Sequence, residues 1–157
     1  MPIWEALIVL LLILLNGALA MSEMAIVSSR RVRLEHLAAR GNHGARTALR
    51  LIAHPASFLS TVQVGITLIG IVAGAFGGAA LAEPLGVWLD TLPGVAPNGG
   101  SIAIAGVVAV ITYLSLVIGE LVPKRVALRA PERVAVAIAR PMFLLSRLAA
   151  PAVWLLG

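Results

Sequence analysis

The stretch that decides the fold is Ile102–Val122, IAIAGVVAVITYLSLVIGELV, in which the one charged residue is Glu120. A helix needs about 20 mainly apolar residues to cross the hydrocarbon core of a bilayer, and this run supplies them. A carboxylate inside such a helix costs about 2.5–3.5 kcal/mol at its centre and less towards an end. Glu120 sits at the inner end, in Gly119-Glu120-Leu121-Val122-Pro123-Lys124. Working outward, two further runs have the same character. Ala6–Val27 is apolar apart from Asn16, Gly17, Ser22 and Glu23, and Phe58–Ala82 carries no charge at all. The spacing predicts three transmembrane helices over about 6–27, 58–82 and 102–122.

Composition agrees with this reading. Sixty per cent hydrophobic and 12% charged residues, with a mean hydropathy of +1.00, lie far from the balance of a soluble domain. The 157 residues leave room for one compact membrane unit and no separate soluble domain. The absence of cysteine excludes disulfide scaffolds and thiolate metal sites. A pI near 11.4 invites a nucleic-acid reading, but the basic residues cluster beside the apolar runs. That is the pattern of loops facing anionic lipid and the cytoplasm, so membrane lipid, and no nucleic acid, is the expected partner.

The charges also set orientation. Arg30, Arg31, Arg33, Arg40, Arg46 and Arg50 stand against Glu35 between the first two runs, whereas Glu83–Gly100, expected as a loop, carries Glu83 and Asp90 and no Lys or Arg. Lys124, Arg125 and Arg129 follow the third run. The positive-inside rule puts the first loop and the C-terminal side in the cytoplasm and the N-terminus outside, as a multi-pass protein of the inner (plasma) membrane. Ala18-Leu19-Ala20 fits a signal-peptide cleavage pattern, but no Lys or Arg precedes it and the positive charge follows the run, which favours an uncleaved span.

The remaining segments read as juxtamembrane helices at about 31–53 and 131–157. Arg31–Ala39 and Ala45–Ala53 are short helical stretches separated by Gly41-Asn42-His43-Gly44, and His54-Pro55 turns the chain into the second span. Val134–Leu156 is interrupted by Arg140-Pro141, Arg147 and Pro151. Arginines at depth are costly and prolines break the helical ladder, so one or two helices lying on the cytoplasmic interface are expected there rather than a fourth span. His36, His43 and His54 share no spacing that puts two ligands on one helix face and read as solvated or capping groups.

Chemistry is expected where polarity enters the spans. Asn16, Ala20, Glu23 and Val27 fall on one helical face, with Ser22 one position round; lipid cannot satisfy this stripe, so it faces protein or a cavity. Interhelical hydrogen bonding is the plain alternative for Asn16 and Ser22. Glu23 and Glu120 have no cation within their runs, which points to a bound cation from elsewhere. Gly70-x-x-x-Gly74 and Gly74-x-x-x-Gly78 suggest close helix packing or dimerisation. Gly65, beside Gln63 and Thr67, could loosen the second helix and free carbonyl oxygens. Ser115 and Glu120 are five apart, and a π-bulge between them would align them. Pro123 removes the donor that the carbonyl of Gly119 would otherwise meet. Glu120, Glu23, Ser22, Thr67 and loosened carbonyls form a hard, all-oxygen donor set of the kind that suits Mg²⁺.

Asn16-Gly17 with Ser22-Glu23-Met24-Ala25, then Gln63-Val64-Gly65-Ile66-Thr67-Leu68, then Gly119-Glu120-Leu121-Val122-Pro123-Lys124 resemble, in order and spacing, the transmembrane domain of the CNNM/CorC magnesium-transporter family. The resemblance covers essentially the whole chain, and its Gly-Glu-x-x-Pro-Lys element is the most specific part. It implies three transmembrane helices, a cytoplasmic belt of juxtamembrane helices and a homodimer. It also implies Mg²⁺ efflux coupled to Na⁺ influx, with Ser22 and Glu120 matching the family's metal-contacting serine and glutamate. Two departures stand out. Many members carry asparagines where this chain has Ile66 and Gly70, leaving Thr67 or a backbone carbonyl to serve. The family also continues into a nucleotide-binding pair of cytoplasmic CBS domains, which this chain, ending at Gly157, does not include; it reads as the membrane part of a longer protein.

Two rival functions remain open from the residues. Some bacterial relatives of the Gln-x-Gly-Ile-Thr type are associated with polyamine export, and Glu23 and Glu120 would supply the separated carboxylates a diamine needs. A non-transporting anchor or sensor for a cytoplasmic domain is the other, though an anchor gains nothing from buried carboxylates. An enzyme is not expected: there is no cysteine nucleophile and no histidine within a span. Orientation is directly testable on this cysteine-free background. A cysteine introduced at Asn98 is expected to react with an impermeant maleimide added outside the cell; reaction only from the cytoplasm would invert the topology.

Overall fold

The computed structural model describes residues 2–156, and the surroundings of the side chains of residues 3–148. The described residues form helices joined by short turns, with no strand. The order is α1 (Pro2–Ser28), α2 (Arg31–Ala39), α3 (His43–Ala53), α4 (Pro55–Gly77), α5 (Glu83–Leu89), α6 (Gly99–Leu116), α7 (Val122–Arg129) and α8 (Pro131–Leu156). A π-helical turn at Gly78–Ala82 joins α4 to α5, and another at Val117–Leu121 joins α6 to α7. Three continuous helical stretches are long and apolar enough to span a membrane: Ile3–Ser28, Pro55–Leu89 and Gly99–Arg129.

Local chemistry accounts for the punctuation. Gly41 takes φ +89°, a left-handed conformation open to glycine at little cost, and ends α2. Asn42 then caps α3 by accepting a hydrogen bond from the Ala45 N–H at 3.0 Å. Pro55 occupies the first turn of α4, where its missing N–H is not needed. At the opposite end of the bundle, the Asp90 carboxylate accepts the Gly99 N–H at 2.8 Å, closing the loop between α5 and α6.

Both π-helical turns lie just ahead of a proline, Pro84 or Pro123. A proline within a helix removes one ladder donor and presses its ring on the carbonyl four residues earlier. Widening the preceding turn relieves that pressure while the helix continues. This corrects the expected loop at Glu83–Gly100: helix runs through Glu83 to Leu89 before the chain turns. The second span is therefore 35 residues long, about 52 Å at 1.5 Å per residue, and outruns a hydrocarbon core about 30 Å thick.

The expected break at Arg140-Pro141 is also absent, since α8 is one 26-residue helix. Pro141 forfeits one ladder bond, whereas Ala135 and Ala139 on the same helix are fully buried; packing outweighs the lost bond. The end of the expected interfacial segment, Gly157, lies outside the described residues. Likewise α4 runs unbroken past Gly65, so the helix is not loosened there. Gly70, Gly74 and Gly78 meet no other atom within 4 Å of a built Cβ; the glycine ladder is not a helix contact within the protomer.

Two cores hold the bundle. One gathers Val9 and Ile13 of α1, Ala82, and Ala103, Val107 and Ile111 of α6. The other, at the arginine-rich end, joins the second half of α1 to α2, α3, the start of α4, α7 and α8 through Ile26, Leu34, Ala48, Phe58, Ala127 and Ala139. Glu132 locks this end. Its carboxylate accepts the Arg30 N–H at 3.3 Å and faces the Arg33 guanidinium at 3.6 Å. Burial alone would raise its pKa, but backbone N–H donors and the neighbouring arginines more than offset this and hold it below the usual carboxylate range. Most large apolar side chains of the spans, such as Leu11, Leu68, Ile71, Val110 and Tyr113, are exposed, as befits surfaces that face lipid or another subunit.

α3 and α8 cross closely because Gly44 has no side chain: a Cβ there would lie 2.5 Å from the Val136 carbonyl oxygen. A backbone atom cannot rotate away, so Gly44→Ala is expected to destabilise by about 1–3 kcal/mol. Gly106 in α6 has open space around its Cβ position, and Gly106→Ala should be neutral or stabilising by up to about 1 kcal/mol. Thermal unfolding in mild detergent, comparing both variants with the wild type, measures the contrast.

Candidate functional site

The site forms where α1 meets the π-helical turn and α7. Gly17 allows the approach: a Cβ at that position would be 3.0 Å from both the Ile118 carbonyl and the Pro123 ring. Across this contact, Asn16 Nδ2 donates to the Gly119 carbonyl oxygen at 3.2 Å. That carbonyl is the one whose helical donor Pro123 removes, so α1 supplies from outside the bond that the third span lacks. Asn16 is buried, and its Oδ1 has no hydrogen-bond partner. An unsatisfied buried amide oxygen costs about 1–3 kcal/mol, and it is an acceptor waiting for a donor or a cation.

Nearly two helical turns further along α1, Ser22 is completely buried and its hydroxyl donates to the Leu19 carbonyl at 2.6 Å. The proton is thereby committed and the oxygen lone pairs remain available. Beside it the two carboxylates converge on Lys124. Lys124 Nζ lies 2.8 Å from Glu120 Oε1 and 3.8 Å from Glu23 Oε2. The side chains of Glu23 and Lys124 are about a quarter exposed and that of Glu120 43% exposed, so the cluster opens on one side. By formal charge it is one unit negative.

The structure corrects several of the site expectations, beginning with the charge balance. The carboxylates of Glu23 and Glu120 do have a protein cation, and it is Lys124. Glu120 and Lys124 stand at the i, i+4 spacing of a helical ion pair, a signal already present in the sequence. The π-bulge expected between Ser115 and Glu120 is found at Val117–Leu121. Glu23 and Glu120 meet at Lys124, Asn16 meets Gly119, Ser22 bonds within α1 to Leu19, and Gly17 emerges as the residue that admits the contact. Ser115 lies half-buried before the turn and makes no side-chain hydrogen bond to the group among the described residues. Thr67 is not brought to it: with Gln63, Val64, Leu68 and Ile71 it lines a shallow groove of about 280 Å³ on one face of α4 alone. Gly65 touches the Leu19 side chain of α1 and serves packing. Of the polar face on α1, Asn16 and Ala20 are buried, whereas Val27 is exposed beyond the contact.

No three His, Cys, Asp or Glu side chains group together among the described residues. The oxygens along this helix contact are instead mixed: the Glu23 and Glu120 carboxylates about Lys124 and, elsewhere on the same contact, the Asn16 amide oxygen, the Ser22 hydroxyl and the Gly119 carbonyl. All are hard oxygens, the kind that hold ammonium groups and alkali or alkaline-earth ions and that soft metals disfavour.

Comparison with known proteins agrees with the three-span fold. Residues 7–157 match the family model described as the cyclin M transmembrane N-terminal domain. A UPF0053 protein of Synechocystis sp. is 54% identical over 153 residues, covering 98% of this chain and 34% of that protein. The UPF0053 protein YhdP of Bacillus subtilis is 36% identical over 160 residues, covering 100% of this chain and 35% of its own length. The protein of Escherichia coli K12 named polyamine export protein is 30% identical over 148 residues, 94% of this chain and 33% of that protein. The chain therefore spans about a third of the length of these relatives. With its three spanning helices and its match across residues 7–157, the chain belongs to the cyclin M (CNNM) transmembrane domain family.

Proposed function

We propose that this chain is the membrane domain of a cation exporter whose substrate is Mg²⁺, moved outward against Na⁺ influx. On this reading it works as a homodimer in the inner (plasma) membrane with its arginine-rich end in the cytoplasm. The observation that carries the reading is the pairing of two carboxylates from different spans, Glu23 and Glu120, beside a buried amide oxygen, Asn16 Oδ1, that lacks any partner. Mg²⁺ favours six oxygens at about 2.1 Å and keeps several of its waters. Glu120 and Glu23 would offset its charge, while Asn16, Ser22 and the Gly119 carbonyl would accept hydrogen bonds from its waters or replace them. Exposure of the Glu120 side chain supports an opening through which a hydrated ion passes.

Lys124 then has a defined part. Its ammonium is a tethered counter-ion that balances the acids while the site is vacant, and an arriving divalent ion displaces it. The same ammonium favours a second reading. A primary ammonium held between two carboxylates is the arrangement that one end of a polyamine would require, and a relative 30% identical carries the name polyamine export protein. Under that reading Lys124 occupies the place of the substrate's terminal amine.

Two variants test these roles. Glu120→Gln keeps the size and one acceptor oxygen but removes the charge. Mg²⁺ binding, followed by calorimetry or thermal stabilisation of the purified chain at neutral pH, should weaken well over tenfold, that is, by more than about 1.4 kcal/mol. Ser22→Ala, which removes only a neutral oxygen, should cost less. Unchanged Mg²⁺ affinity in Glu120→Gln would remove the metal-site reading, and stabilisation by putrescine without stabilisation by Mg²⁺ would put the polyamine reading in its place. Lys124→Gln removes the tethered competitor. A partly exposed ion pair contributes up to about 1 kcal/mol, so Mg²⁺ binding should tighten by roughly two- to fivefold; weaker binding would show that Lys124 supports the site rather than fills it.

A further inference from the structure

A second polar cavity lies away from the cation cluster, at the start of the second span. It has a volume of about 400 Å³ and sits between the end of α3, the first turn of α4 and the middle of α8. Arg50, His54 and Arg147 stand at its rim with Ser57, and Phe58 and Phe143 line its wall. No carboxylate lines it, and among the described residues neither arginine forms an ion pair. This sets it apart from the larger arginine-lined cavity near Arg30, where Glu132 already meets the basic groups.

Three features of this cavity point the same way. First, two guanidiniums from different elements face one space with nothing to neutralise them, and guanidinium forks suit phosphate oxygens. Arg147 is steadied by Phe143, with its guanidinium carbon 5.9 Å from the ring centroid. Second, α4 starts at this rim with His54 as its N-terminal cap residue and no side-chain acceptor for the first-turn N–H groups. The positive end of a 23-residue helix adds to the field of the arginines. Third, the wall is apolar: Phe143, only partly buried against the main core, lines it. A freely soluble anion gains nothing from such a wall, whereas a lipid does.

We propose that this cavity binds the phosphate headgroup of an anionic phospholipid. Arg50, Arg147 and the N-terminus of α4 hold the phosphate, and the upper part of an acyl chain lies against Phe143. The lipid would tie α8 to the start of the second span at the membrane surface, because its phosphate is shared between an arginine of α3 and one of α8. The proposal does not depend on which cation the protein moves.

The test uses the purified chain, delipidated in a neutral detergent, with phosphatidylglycerol or phosphatidylcholine added at equal mole fraction. Thermal unfolding and native mass spectrometry report stabilisation and bound lipid. Phosphatidylglycerol is expected to raise Tm above the phosphatidylcholine value and to remain bound in the mass spectrum. The double variant Arg50→Gln/Arg147→Gln should lose most of that difference, while Arg40→Gln/Arg46→Gln, outside the cavity, should keep it. Ser57→Glu guards against misfolding of the double variant: an acid in the first turn suits the helix dipole, yet it places a negative charge at the rim and should abolish the preference for the anionic lipid. Equal effects of the two lipids, an equal loss in both arginine pairs, or a retained preference in Ser57→Glu would overturn the proposal. Inorganic phosphate alone reproducing the whole shift would also overturn it, by identifying the ligand as a soluble anion.

Discussion

The hydrogen bond from Asn16 to the Gly119 carbonyl is the constraint on which the rest of the site depends. Pro123 deprives that carbonyl of its helical donor, and inside a membrane a bare carbonyl cannot turn to water. A side-chain amide from α1 fills the need at 3.2 Å, but only because Gly17 lets the helices touch. The π-helical turn at Val117–Leu121 accommodates the proline without ending the helix. Proline, wide turn, glycine contact and amide bond are therefore one device, and it fixes Glu120 of the third span beside Glu23 of the first.

That arrangement brings like charges together at a place where separation would be cheaper. Lys124 relieves the repulsion, with a short bond to Glu120 and a longer one to Glu23. All three side chains are partly exposed, unlike the enclosed Glu132, whose hydrogen bond from Arg30 and ion pair with Arg33 tie α2 to α8. The bundle thus uses carboxylates in two ways. At its arginine-rich end a buried acid ties helices together, and at the α1–α7 contact two half-exposed acids surround a single cation.

Much of the architecture was legible in one dimension. The three spans follow from apolar runs of bilayer length, and α2 and α3 were bracketed by Gly41 and Asn42 with little error. The π-bulge could be anticipated from the five-residue offset of Ser115 and Glu120 together with Pro123. The misses have physical causes. The apolar run ends at Glu83, yet a widened turn absorbs Pro84 and helix runs on to Leu89. Pro141 looks like a break in α8, yet the buried alanines before it, Ala135 and Ala139, outweigh one missing bond. Thr67 shares a motif with Gly65, but the two residues are 200° apart around a helix, so only Gly65 meets α1.

By itself, then, the sequence determined that the chain is a three-span helical membrane protein, where its positive charge gathers, and which polar residues lie at depth. Hydrophobic run length and charge placement are properties of the linear chain, and a bilayer reads them directly. Tertiary structure decided which of those polar residues meet. It set Asn16 against Gly119, turned Thr67 away, and put the ammonium of Lys124 between two acids. These outcomes depend on how two helices approach and rotate against each other, a geometry set by Gly17 and by the widened turn ahead of Pro123 rather than by any one helix alone.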